Sequence, residues 1–131
     1  MLVNNLEIES IGMFKNTLSK ITPQLVPFLT LFEVSLFWHH VWLTFVLLEL
    51  TSALAIYFSS NRIVTFYLWI CVSLGGPVAE IVAIHFGAWK YTLASQPLTI
   101  PLWLSPCWGL AGIFFYNVSK RIESTLNKNK E

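Results

Sequence analysis

Three acids, Glu33, Glu49 and Glu80, stand inside an otherwise apolar stretch of this 131-residue chain. Ionisable side chains in such surroundings are expensive unless each has a partner, so they are the first places to look for chemistry. Glu80 is the sharpest case. Gly76, Glu80, Ala83 and Gly87 recur at i, i+4, i+7 and i+11, which puts them on one face of a helix. Small residues on that face let a second helix approach closely, so Glu80 is expected in a helix–helix seam. A carboxylic acid that keeps its proton in an apolar pocket is a competent general acid. The structural alternative is a hydrogen bond from Glu80 to backbone freed at Pro77 or to a neighbouring side chain. A matching stripe follows at Ser105, Gly109, Gly112 and Tyr116, and the two stripes are expected to pack together.

The aromatic residues around Glu80 extend the candidate set. His85, Trp89, Tyr91, Trp103 and Trp108 could line a ligand site, and the indoles and phenol could stabilise a cation by cation–π attraction. His85 stands five residues after Glu80, about 140° round a helix, so the two do not form a dyad on one face. His39, His40 and His85 could share one level, but no HxxxH or HExxH spacing supports a metal site, and no metal or other cofactor is expected. Glu33 and Glu49 are read as hydrogen-bonding residues. Cys71 and Cys107 lie in apolar segments and behave as small hydrophobes.

The composition explains why these polar groups stand out. The chain is 55% hydrophobic and only 11% charged, against about 25% charged in an ordinary soluble domain. Residues 1–22 and 119–131 hold ten of the 15 charged side chains. Disorder is excluded by the hydrophobicity. Nucleic-acid binding is excluded by a net charge of +1 without a basic stripe. The reading is an all-α integral membrane protein in a lipid bilayer.

The elements follow from the apolar runs. Residues 1–22 predict a short amphipathic helix, with Ile11, Phe14, Leu18 and Ile21 at helical spacing and Lys15, Asn16 and Lys20 between them. Glu7 and Glu9 speak against a cleavable signal peptide. Residues 23–118 form the transmembrane domain, with spans at about 23–39, 41–58, 63–89 and 101–118. The run from Pro23 to Phe58 would reach roughly 54 Å as one helix, beyond a hydrocarbon core of about 30 Å. A break at Trp38-His39-His40-Val41-Trp42 suits interfacial aromatics, although no Gly or Pro marks it. Pro77 predicts a kink. Residues 92–100, with Gln96-Pro97, form a polar loop, and 119–131 a polar cytoplasmic tail.

The positive-inside rule favours a four-helix bundle over three spans. With four, Lys15, Lys20, Arg62, Lys120, Arg121, Lys128 and Lys130 share the cytoplasmic side with both termini, and Lys90 alone lies opposite.

Residues 75–108 carry a resemblance. They read Gly-Gly-Pro-Val-Ala-Glu, then Gly87-Ala-Trp-Lys-Tyr91, a loop, and Ile100-Pro-Leu-Trp-Leu-Ser-Pro-Cys-Trp108. This resembles a family of small bacterial polytopic inner-membrane proteins of unknown function, which carry an acid, a Gly, an aromatic pair and a Pro-Leu-Trp start to the next helix. It is similar, more loosely, to membrane carotenoid-biosynthesis proteins and small-subunit lycopene cyclases. On that resemblance Glu80 matches the acidic position, and Gly87, Trp89, Tyr91 and Pro101 the remainder. The cyclases follow their proline with two glutamates, where this chain has Leu102-Trp103, and the carotenoid proteins have more spans. The likeness covers about a quarter of the chain. It implies a bacterial inner membrane and an isoprenoid ligand.

Three functions are weighed, one of them a proton or ion conductor through Glu33, Glu49 and Glu80, for which four short spans are a poor frame without oligomerisation. The first is non-catalytic: packing in a membrane assembly, as an oligomer or with a partner membrane protein, or binding a lipid between the helices. The second is an enzyme in which Glu80 protonates an isoprenoid-type lipid. The first is preferred, because four short helices enclose little space for a closed pocket.

Overall fold

The computed structural model describes the backbone of residues 2–94 and 97–128; the side chains of 1–10, 15, 16, 18–20, 22, 23 and 128 lie outside that description. The expected amphipathic pattern involving Lys15, Asn16, Leu18 and Lys20, the Gln96 position and residues 129–131 therefore fall outside the described residues.

The described chain is all-helical: α1 (Leu2–Phe37), α2 (Val41–Phe58), α3 (Arg62–His85) and α4 (Leu104–Lys128). Helix α1 runs unbroken through the boundary that the sequence suggests at residues 22–23. The shift there is one of polarity, and a polarity shift alone does not stop a helix. The same holds at the end of α4, which continues past residue 118 to Lys128 through polar residues compatible with helix.

The other helix ends have local causes. Asn61 caps α3 by accepting a hydrogen bond from the Val64 N–H at 3.2 Å. Helix α3 stops at His85, short of residue 89, because Gly87 adopts φ +79°. Gly87 N–H donates to Ile84 O at 2.9 Å and Ala88 N–H to Ala83 O at 3.0 Å. This is a Schellman stop, which needs a left-handed residue that glycine supplies without a Cβ penalty. Gly87 thus lies beyond the helix, not on the packing face with Gly76 and Ala83. The α1–α2 turn at residues 38–40 lacks Gly and Pro, and fully buried Thr44 holds it: its hydroxyl lies against the carbonyls of Phe37 and His40.

Helix α4 packs on all three other helices, most extensively on α3. Helix α1 packs on α2 and α4, and among the described residues it makes no contact with α3. Val26, Leu48, Ala55, Leu110 and Ile113 form the apolar core.

Polarity is inverted relative to a water-soluble bundle. Thr30, Glu33, Thr44, Thr51, Ser52, Thr65 and Ser73 are buried, while Phe28, Phe32, Trp42, Leu50, Leu74 and Phe86 are exposed. Helices α2 and α3 are long and apolar enough to cross a membrane; the apolar part of α1, Gln24–Phe37, is shorter.

The buried polar groups tie neighbouring helices. Thr51 Oγ1 donates to Glu33 Oε1 at 2.6 Å between α2 and α1. Trp69 Nε1 donates to Ser52 Oγ at 3.0 Å between α3 and α2. Ser105 Oγ donates to Ser73 O at 2.7 Å between α4 and α3. The last has a covalent cause. Proline at 77 has no N–H to give to the carbonyl four residues earlier, which is Ser73 O. Ser105 supplies the missing donor from the next helix.

Candidate functional site

The turn at 38–40 and the loop at 86–103 meet at one end of the bundle, the loop end. The Schellman stop at Gly87 redirects the chain, and Trp89 and Tyr91 return to Glu80 on α3. Trp89 Nε1 donates to Glu80 Oε2 at 2.9 Å, and Tyr91 OH donates to the same oxygen at 3.2 Å. One carboxylate oxygen thus clasps the start of the loop to the helix. Burial, followed by the Glu80 charge, pushes the Tyr91 phenol up to about 12, so it stays a neutral donor.

Beside the clasp lies a cleft of about 520 Å³. Val34, Ser35 and Trp38 at the end of α1 form one wall, and Lys90, Tyr91 and Trp103 belong to the other. Ile100, Pro101 and Leu104 are buried, which anchors the second half of the loop. Among the described residues Lys90 is the only charged residue that lines the cleft. Trp103 Nε1 is buried and has no hydrogen-bond partner among the described residues.

The candidate residues therefore divide. Glu80, Trp89 and Tyr91 meet directly, and Tyr91 and Trp103 share the cleft. His85 is exposed and makes an edge contact with Phe86, with ring centroids 5.6 Å apart. Trp108 lies on the α3–α4 seam, against Gly76, and lines a separate groove of about 340 Å³. His39 and His40 are exposed, with His39 against Trp38. Among the described residues no three His, Cys, Asp or Glu side chains converge. Cys71 and Cys107 are free thiols.

The small-residue stripes meet closely. A Cβ at Gly76 would overlap the Trp108 indole, one at Gly109 would overlap Trp69 and Ser73, and one at Gly112 would overlap Val72. Ser105 joins this seam through Ser73 O, so the backbone carbonyl freed at Pro77 is satisfied by Ser105 and not by Glu80. Ala83 is half-buried on α3.

Sequence reasoning passes over Ser35, Trp38 and Lys90 as cleft residues. Lys90 stands between Trp89 and Tyr91, and as the single cation between Arg62 and Lys120 it is legible as distinctive. Ser35 and Trp38 reach the cleft only through the α1–α2 turn, which no local motif announces.

No family model, curated protein or solved structure matches this chain.

Proposed function

We propose that the protein is a multi-pass integral membrane protein that binds a lipid in the loop-end cleft without transforming it. All four helices enter the bilayer as a bundle, with both termini cytoplasmic, and the bilayer is a bacterial inner membrane. The observation that carries this reading is the inverted polarity. Hydroxyls and a carboxyl share the interior with the apolar core, and large apolar side chains cover the exterior. A core helix of a soluble protein would be mostly buried, whereas the apolar windows of α2 and α3 are only 28% and 11% buried. Such an exterior needs lipid or a partner to cover it.

The cleft supports the lipid reading. Its volume falls within the range of about 300–1,000 Å³ usual for small-molecule sites. Glu80 supports binding over catalysis, because the contacts it makes are those of a tether: one of its oxygens fixes the aromatic pair that shapes the cleft. The resemblance to carotenoid-biosynthesis proteins makes an isoprenoid tail the first to try.

Native mass spectrometry of the 15.0 kDa chain, purified from membranes in mild detergent, tests the reading. A discrete lipid mass retained on the chain is the expected result. A bare chain in every detergent, or recovery of the protein from the aqueous fraction, would overturn it.

A further inference from the structure

Of the three acids inside the apolar stretch, two have partners. Glu33 accepts from Thr51, and Glu80 from Trp89 and Tyr91. The hydrogen bond expected at Glu49 is not formed among the described residues, and neither is an ion pair. Glu49 stands at the middle of α2, about 12 Å from either end of an 18-residue helix. That helix is long and apolar enough to cross a membrane. An ionisable group at such a depth faces a cavity or pairs with another group, and it marks a functional site by default.

Glu49 has its cavity. Glu49, Ser52 and Ile56 fall at i, i+3 and i+7 on one face of α2, and with Phe66 and Trp69 of α3 they line a groove of about 400 Å³. Helices α2 and α3 touch less than the other packed pairs, which leaves the groove open. The other polar groups there are engaged. Trp69 Nε1 donates to Ser52 Oγ at 3.0 Å, and Ser52 Oγ donates to Leu48 O at 2.7 Å. Arg62 lines the loop edge of the groove, at the level of Tyr57 and about 12 Å along α2 from Glu49. Its Nε donates to Tyr57 O at 2.9 Å, and its guanidinium lies over the Tyr57 ring, 4.5 Å from the centroid. The Phe66 and Trp69 rings are stacked at an interplanar angle of 14°, with centroids 6.5 Å apart. The groove thus combines one unpaired acid with apolar and aromatic walls.

Most occupants lack the complement. A lipid tail brings neither a cation nor a hydrogen-bond donor to this depth. A second copy brings no cation either, because between Lys20 and Lys120 the chain has only Arg62, at a helix end, and Lys90, in the loop. A spanning helix of another protein needs a face of about 30 Å, whereas the groove runs from Glu49 to Tyr57, about 12 Å along α2. A compact molecule suits it, since the volume falls within the range of small-molecule sites. We propose that the α2–α3 groove binds a lipophilic organic cation, with its charge against Glu49 and its apolar body between Ile56 and the Phe66 and Trp69 rings. Aromatic faces attract such a cation as well. The groove shares no residue with the loop-end cleft, and the assignment rests only on the membrane placement of α2 proposed above.

The test uses the full chain in mild-detergent micelles and two probes of one size and shape but opposite charge, tetraphenylphosphonium and tetraphenylborate. Equilibrium dialysis against protein-free micelles reads binding by the chain itself. Saturable binding of the phosphonium is expected, and none of the borate. Glu49→Gln should weaken phosphonium binding about tenfold or more, the loss of one charge contact away from bulk water. Its thermal unfolding midpoint should match that of the parent. Ala53→Phe keeps Glu49, fills the groove from an exposed lining position, and should abolish binding. Glu33→Gln, outside the groove, should bind as the parent does. Absence of saturable phosphonium binding, equal binding of the two ions, or an affinity that Glu49→Gln leaves unchanged overturns the proposal. A fall in oligomer mass in Glu49→Gln also overturns it, and assigns the groove to a second copy. Recovery of the parent chain from the aqueous fraction overturns instead the membrane placement on which the site depends.

Discussion

The α3–α4 seam and the loop-end cleft lie next to each other and are built on opposite principles. In the seam, Gly76, Gly109 and Gly112 bring side chains of one helix against the backbone of the other, and the single backbone acceptor freed by Pro77 has its donor in Ser105. In the cleft, side chains stand apart around about 520 Å³. The seam is filled and the cleft is open, although in the seam the Ser73 hydroxyl is buried without a partner among the described residues. A region whose side chains fill the space between two helices serves the fold, and a region that keeps open space has room for a ligand. Glu80 sits where the two regions join, on the seam helix, with its carboxyl holding the cleft's aromatic pair.

The largest effect should come from filling the seam. Gly109→Val places carbon atoms where the Trp69 indole and the Ser73 hydroxyl already are, and overpacking typically costs about 1–3 kcal/mol, with this contact at the upper end. A large fall in the thermal unfolding midpoint in detergent is expected. Gly75 is the control on the neighbouring helix α3, because a Cβ there meets nothing within 4 Å. Gly75→Ala should be neutral, or stabilising by up to about 1 kcal/mol through helix propensity. Similar losses for both variants would show that the seam is not close-packed and would remove the contrast with the cleft.

Next in size is the proline–serine pair. Ser105→Ala leaves Ser73 O buried without its donor, at a cost of about 1–3 kcal/mol. Pro77→Ala restores an N–H within α3 that can reach that carbonyl. In a double-mutant cycle the serine should therefore matter in the parent chain and nearly cease to matter once Pro77→Ala is in place, giving a coupling energy of about 1 kcal/mol or more. Additive losses would mean that the two residues do not share Ser73 O.

A smaller effect distinguishes the clasp. Tyr91→Phe removes one hydrogen bond to Glu80, worth about 0.5–1.5 kcal/mol. It should also change the alkaline limb of stability. The phenol is held up to about 12 in the folded chain, against an ordinary value of about 10. A raised folded value favours the protonated form, so its contribution is complete below pH 10 or so and is lost as pH rises towards 12. Thermal midpoints of the parent chain should fall more steeply than those of Tyr91→Phe across that window. Parallel curves would place the phenol outside the clasp.

How much of this was legible in the sequence varies with the range of the interaction. Helical character follows from the apolar runs, and the polar Ser59-Ser60-Asn61-Arg62 break locates the end of α2 and the start of α3. The small residues at Gly76, Gly109 and Gly112 announce close approach because close approach is what small residues permit. Gly87 misleads, because a glycine at helical spacing can equally be a left-handed stop, and only the backbone angle distinguishes the two. The polarity shift near residue 22 also misleads, since it marks a change of surroundings and not of conformation. Glu80, Trp89 and Tyr91 are each conspicuous in the sequence, yet their convergence on one oxygen depends on that Gly87 turn. The cleft itself joins residues more than fifty positions apart, Ser35 and Trp38 with Lys90 and Trp103, and no local pattern encodes such a meeting.

The smallest effect is expected at the one buried acid that belongs to neither region. Glu33 is 7% exposed, accepts from Thr51 through Oε1, and keeps Oε2 buried without a partner among the described residues. A half-satisfied polar pair adds little to stability, because desolvation offsets the hydrogen bond it makes. Replacing both members by apolar residues of similar shape, Glu33→Leu with Thr51→Val, should leave the unfolding midpoint within about 1 kcal/mol of the parent or raise it. Lipid retention at the cleft should be unchanged, since Glu33 does not line it. A loss of more than about 2 kcal/mol would show that Oε2 has a structural partner. Unchanged stability with lost lipid retention would instead tie Glu33 to the cleft, and the division between a close-packed frame and an open site would have to be redrawn one turn deeper along α1.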